Sequence, residues 1–147
     1  MEIPQALWRF PTAAAIAGLA RRFEFTVHPQ MQDSECELAN PGRIDEFLAA
    51  YEQSDLSDDE LFLLMEIVLN SFEFSDTPLA DHPGWSRTLH LLESNIGRHI
   101  YSILYFADPE SDWRIGQDLR LLASEYGDSF GLPPNNSFKP NPLRGSA

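Results

Sequence analysis

Between Ser57 and Phe72 the chain reads Ser-Asp-Asp-Glu-Leu-Phe-Leu-Leu-Met-Glu-Ile-Val-Leu-Asn-Ser-Phe, and no other stretch restricts the fold as much. Ser57 and Glu60 have the spacing of a capping box, in which each side chain satisfies the other's backbone N–H. Leu56 and Leu61 are placed as the matching hydrophobic staple, and Asp58, Asp59 and Glu60 suit the positive end of a helix dipole. Past its first turn the helix is apolar on almost every side. It is too short and too acid-flanked to cross a bilayer, which takes ~20 apolar residues. It therefore predicts a central helix that other helices must cover. One polar stripe remains on it, made of Asp59, Glu66, Asn70 and Glu73, with no Lys or Arg beside it.

The covering helices are written on either side. Thr12 is placed to cap a helix from Ala13, where Ile16, Leu19, Ala20 and Phe23 fall at i, i+3, i+4 and i+7. His28-Pro29 stops any helix before it, because a residue preceding proline is pushed out of the α region. Residues 31–39 predict an irregular connector. Asn40-Pro41 opens another helix, with Ile44, Phe47, Leu48 and Tyr51 on its apolar side. After a loop over 75–83, Trp85, Thr88, Leu89, Leu92 and Ile96 form a further stripe, and Gly97 marks a break. The run 98–106 fits helix or strand by period. Ile96, Ile100, Ile103 and Ala107 continue one face, which favours helix. Ile115, Leu119, Leu122 and Tyr126 give the last helix, with Gly127 placed to end it. From Asp128 the apolar period stops and Pro and Asn take over. The expectation is an all-α, single-domain bundle of five or six helices over 1–127, with a disordered tail over 128–147.

Charge narrows the function. The 147 residues hold 23 acids against 10 Lys and Arg, a net −13. Fifteen of those acids lie between Glu24 and Asp81, where Arg43 is the only base, so this segment carries −14 and the rest +1. Nucleic-acid binding needs cations that neutralise phosphates, and anionic membranes need basic clusters; the chain argues against both. Ala13 to Ala20 is followed by Arg21-Arg22, the reverse of a signal peptide's order, so the reading is a cytoplasmic protein. Crowded like charges cost stability, so a merely solvated face explains the segment only in part. The other account is a face for a cationic protein partner. If the helices holding Glu46 and Glu66 pack antiparallel, their carboxylates merge into one surface. The candidate partner-binding residues are Glu46, Glu52, Asp55, Asp59, Glu66 and Glu73.

Catalytic signatures are missing. There is no GxSxG, P-loop, GxGxxG or HExxH pattern, and Ser57, Ser71 and Ser86 have no adjacent base. Cys36, the only cysteine, excludes an internal disulfide, and its neighbours Glu35 and Glu37 disfavour a thiolate. His82, His90 and His99 lack metal-ligand spacing; His82 reads as a surface residue in a Pro-flanked loop. The expectation is a non-enzyme with no catalytic residue, metal or cofactor. The alternatives are a small helical enzyme or metal-binding protein using His99 and nearby carboxylates, or a regulatory adaptor. Trp85, Tyr101, Tyr105, Phe106, Trp113 and Tyr126 read mainly as core, with any partly exposed ones as anchors for an interface.

One set of residues carries a family likeness. It runs from Met31 to Glu35, through Asn40-Pro41-Gly42-Arg43-Ile44-Asp45-Glu46-Phe47-Leu48 and Asp58 to Glu66, to Ser71-Phe72-Glu73, Trp85, His99 and Tyr105-Phe106. Together these resemble small acidic bacterial proteins of the immunity type found in polymorphic and contact-dependent toxin systems. The resemblance covers about Thr12 to Tyr126. It implies a protein that occludes a cationic toxin domain, such as a nuclease, without covalent chemistry.

Overall fold

The computed structural model describes residues 2–28, 31 and 33–132. Among them are seven α-helices, four short 3-10 turns and no strand, so the all-α class holds with more helices than the periodicity counted. Contacts divide the chain into two compact units, residues 9–91 and residues 1–8 with 92–147, where the sequence marks no boundary.

In residues 9–91, α1 (Ala13–Phe23) starts as expected, with the Thr12 hydroxyl accepting the Ala15 N–H at 3.1 Å. It stops at Glu24, which takes the left-handed conformation at φ 57°. The connector expected to be irregular contains a one-turn helix, α2 (Ser34–Glu37). Asn40 accepts the Gly42 amide and Pro41 follows, but the pair opens a 3-10 turn, Pro41–Arg43, that leads into α3 (Ile44–Glu52). The capping box forms as spaced: Ser57 accepts the Glu60 amide at 3.2 Å and Glu60 accepts the Ser57 amide at 2.9 Å. It opens α4 (Asp58–Glu73), which packs against α1, α2 and α3. Every residue of α4 from Phe62 to Phe72 is buried. Gly18 on α1 lies against the tip of the Glu60 side chain, where a Cβ would stand 1.9 Å from Oε2 and would push the carboxylate aside. At the other end, the Phe72 ring meets Trp85 at 4.9 Å and His82 at 4.8 Å, both edge-on. His82 is therefore half-buried, with Nδ1 accepting the Gly84 amide, and is not the plain surface residue its loop suggested. A 3-10 turn at Leu79–Asp81 precedes α5 (Pro83–Ser94), and the division between units falls within this helix, after Leu91.

In the other unit the break predicted at Gly97 falls at Asn95, and Gly97 is the second residue of α6 (Ile96–Ala107). The ambiguous run 98–106 is helix. α7 (Gly116–Tyr126) packs on α6 through Gly116, whose missing Cβ would lie 2.6 Å from the Phe106 carbonyl oxygen. Gly127 ends α7 as expected, standing directly after Tyr126. It stays right-handed at φ −57° and begins a 3-10 turn, Gly127–Phe130, which a left-handed Gly131 at φ 74° closes. Leu132 is then only 4% exposed. The tail expected from residue 128 thus has packed structure as far as 132, and its remainder, 133–147, lies outside the described residues.

Candidate functional site

The six acidic candidates do not form one open surface. Four of them are exposed, and an arginine meets each. Glu46 receives Arg43 in a two-pronged pair, Nε to Oε1 at 2.9 Å and a terminal nitrogen to Oε2 at 2.8 Å. Arg43 also donates to the Phe23 carbonyl at 2.9 Å, capping the C-terminus of α1. Its guanidinium lies 5.7, 5.2 and 5.5 Å from the ring centres of Phe23, Phe25 and Phe47, within reach of cation–π attraction. The Arg43 bonds hold the Glu46 carboxyl below the usual carboxylate range.

Glu52 pairs with Arg87. Asp55 pairs with Arg22 at 2.5 Å, and Arg22 also donates to Gln53 Oε1 at 2.7 Å. Asp59 shares Arg9 with Asp58, at 2.8 and 2.5 Å, while that guanidinium sits 4.8 Å from the centre of the Phe62 ring. Exposed pairs of this kind contribute only ~0–1 kcal/mol each. Their main effect is to cancel charge on the face that was expected to present it.

Glu66 corrects the expected stripe more sharply. It is 7% exposed, as is Asn70, whose Nδ2 donates back to the Glu66 carbonyl at 2.9 Å. The middle of the stripe is therefore inside the protein, where a helix apolar nearly all round must place it. Glu73 is half-buried at the end of α4. The two helices do pack together, and Glu46 and Glu52 do point away from the α3 core face, but the carboxylates do not merge into an unneutralised patch.

What remains negative lies elsewhere in the unit. Asp33, Asp45, Asp76 and Asp81 are exposed, and none is seen in an ion pair among the described residues. Around α2, partial burial and the charges of Asp33 and Glu37 push Glu35 above the usual carboxylate range. Burial and the same cluster of acids push the Cys36 thiol up, which opposes thiolate formation. Glu37 faces His28 at 3.3 Å.

Two of the serines weighed for catalysis have structural partners. The Ser57 hydroxyl is the α4 cap, and the Ser71 hydroxyl donates to the Ile67 carbonyl at 2.7 Å while accepting the Asn40 amide at 2.9 Å. His99 is fully buried on α6. Among the described residues, no three His, Cys, Asp or Glu side chains are grouped to hold a metal ion, and no helix is long and apolar enough to cross a membrane. The charge partners Arg9, Arg22 and Arg87 were missed because they stand 33 to 50 positions from the acids they bind. Only Arg43 and Glu46, three apart, carried a local signal. No protein-family model matches the chain, and no curated protein or solved structure matches it.

Proposed function

We propose that this chain is a non-enzymatic binding protein whose acidic unit covers a cationic protein partner, acting as an immunity protein that occludes a toxin domain. The observation that carries the reading is the surplus left after the arginines are used. Residues 9–91 hold 15 acids against five arginines, a net −10, and four of those arginines already serve Glu46, Glu52, Asp55, Asp58 and Asp59. An acidic unit of this kind draws a basic cleft at rates far above the neutral case, and the gain falls with added salt. Occlusion then needs no reacting group.

The docking acids in this reading are Asp33, Asp45, Asp76 and Asp81, in place of the arginine-bound set. The test is to purify the chain with the basic domain encoded beside its gene and follow association at two ionic strengths. The fourfold Asp→Asn variant at these positions should associate about 10-fold more slowly at low salt and show a flatter salt dependence. Unchanged association by a folded variant, or no complex with the neighbouring product, sinks the reading.

A further inference from the structure

Phe74 follows directly on the last turn of α4 and is 50% exposed, a large ring left in water where the loop to α5 begins. That loop, residues 74–82, is closed at its base, where the rings of Phe72 and His82 stand 4.8 Å apart. Compact surface loops whose ends meet in this way are frequently functional. Its backbone is pinned along its length. The Ser75 amide donates to the Phe72 carbonyl and the Thr77 amide to the Ser75 hydroxyl, both at 3.2 Å. The Asp81 and His82 amides then donate to the Pro78 and Leu79 carbonyls at 3.0 and 3.2 Å. A loop held in this way has little freedom left to lose on binding.

The same loop carries carboxylates close to the ring. Asp76 is two residues from Phe74, so their Cα atoms are no more than ~7 Å apart. Asp81 directly precedes His82, at the base where the chain returns to Phe72. Both aspartates are exposed, and neither is seen in an ion pair among the described residues. No Lys or Arg occurs from residue 44 to residue 86, and the arginines that bound this gap, Arg43 and Arg87, are held by Glu46 and Glu52.

We propose that Phe74 is the apolar anchor of the acidic unit's docking face, entering a recess in a basic partner protein while Asp76 and Asp81 meet cations at the recess rim. The inference rests on the occlusion reading above and adds to it the residue that holds the complex together. Exposed charges govern how fast a partner arrives and add little to how long it stays. Residence is set by a few large side chains that fill pockets, surrounded by contacts that exclude water. A rigidly presented ring beside unpaired carboxylates fits that division of labour. A nucleic acid or an anionic membrane would be repelled by the loop. A second copy of this chain would bring the same carboxylates against it.

The test uses the full chain and the basic domain encoded beside its gene. Phe74→Ala should speed dissociation about 10-fold or more, with association at low salt kept within about twofold of the parent. Phe74→Leu, which keeps an apolar side chain, should fall between the two. Asp76→Asn combined with Asp81→Asn should do the reverse, slowing association more than it changes dissociation. On the unsubstituted chain, hydrogen exchange of the amides over 74–82 should slow in the complex. Unchanged dissociation of a folded Phe74→Ala variant, or amides over 74–82 that exchange equally fast with and without the partner, would overturn the anchor and leave the occlusion reading standing. No complex with the parent chain would overturn both. A dimer of the chain alone that Phe74→Ala splits, seen by light scattering, would assign the ring to a second copy and overturn the proposal.

Discussion

The two ends of α4 both carry carboxylates and handle them in opposite ways. At the N-terminus, Asp58, Asp59 and Glu60 face the positive end of the helix dipole, Glu60 closes the capping box, and Arg9 binds both aspartates. At the C-terminus the last turn holds no base, and Glu73 stands at the negative end of the dipole. The chain that follows α2 is fastened nearby through the Asn40 amide on Ser71, and α2 brings Glu35 and Glu37 to the same helix. At one end carboxylates complete the cap and meet an arginine; at the other the last turn supplies no base. Net charge alone does not distinguish the two, which is why the acid count merged carboxylates that the fold treats separately.

Four measurements would break or sharpen this contrast. The largest effect is expected between the two ends, at Glu66. Glu66→Lys should lower stability by about 3 kcal/mol, because it places an ammonium at a position only 7% exposed. A denaturant midpoint close to that of the parent would mean the side chain reaches water and the stripe is continuous from end to end. At the favourable end, Ser57→Ala should cost about 1 kcal/mol, the usual loss for an N-cap hydroxyl. If it is neutral, the N-terminal end owes nothing to its box.

At the unfavourable end, Glu35→Gln should be stabilising, by less than the cap is worth. The folded protein binds a proton at Glu35 more tightly than the unfolded chain does, so the native carboxyl is penalised wherever it is ionised. The advantage of Gln should be full near pH 7 and shrink as pH falls through the raised folded value. It should be gone below the ordinary carboxylate value of 4.5. Thermal melts from pH 4 to 8 measure it, and an advantage that grew on acidification would contradict the assignment. The smallest effect is expected for Glu73→Gln, a gain of about 0.3 kcal/mol from removing an anion at the negative end of the helix dipole. A loss of similar size would show that the C-terminal end is not strained by its acids.

Much of the fold was legible because its signals are local. The Thr12 cap, the Ser57–Glu60 box and the apolar faces of α1, α3, α6 and α7 lie within a few residues of one another, and each formed where the spacing put it. Errors came where the deciding contact was distant. Gly127 ends α7 as its spacing predicted, but the tail does not begin there: Leu132 packs back within 3.5 Å of the position a Gly127 Cβ would take, after a left-handed Gly131. Glu66 looked solvent-facing on a helical wheel. A wheel assigns the polar side of one helix, and cannot show that the surrounding structure covers even that side. The arginines that meet three of the candidate acids were missed for the same reason, since they have no sequence spacing to read.

Those long-range arginine pairs have a consequence for how the unit assembles. Arg9, Arg22 and Arg87 reach carboxylates 33 to 50 positions away, so chain closure must be nearly complete before the negative helices find their counter-charges. Until then, only Glu46 among the candidate acids of α3 and α4 has its arginine, three residues away, while Glu52 and Asp59 wait for theirs. Screening ions should therefore accelerate folding by easing early repulsion, and accelerate unfolding by loosening the finished clamps, with little net change in equilibrium stability. During synthesis, Arg87 leaves the ribosome after all 15 acids of residues 24–81, so the unit reaches its last clamp with its whole negative load already exposed.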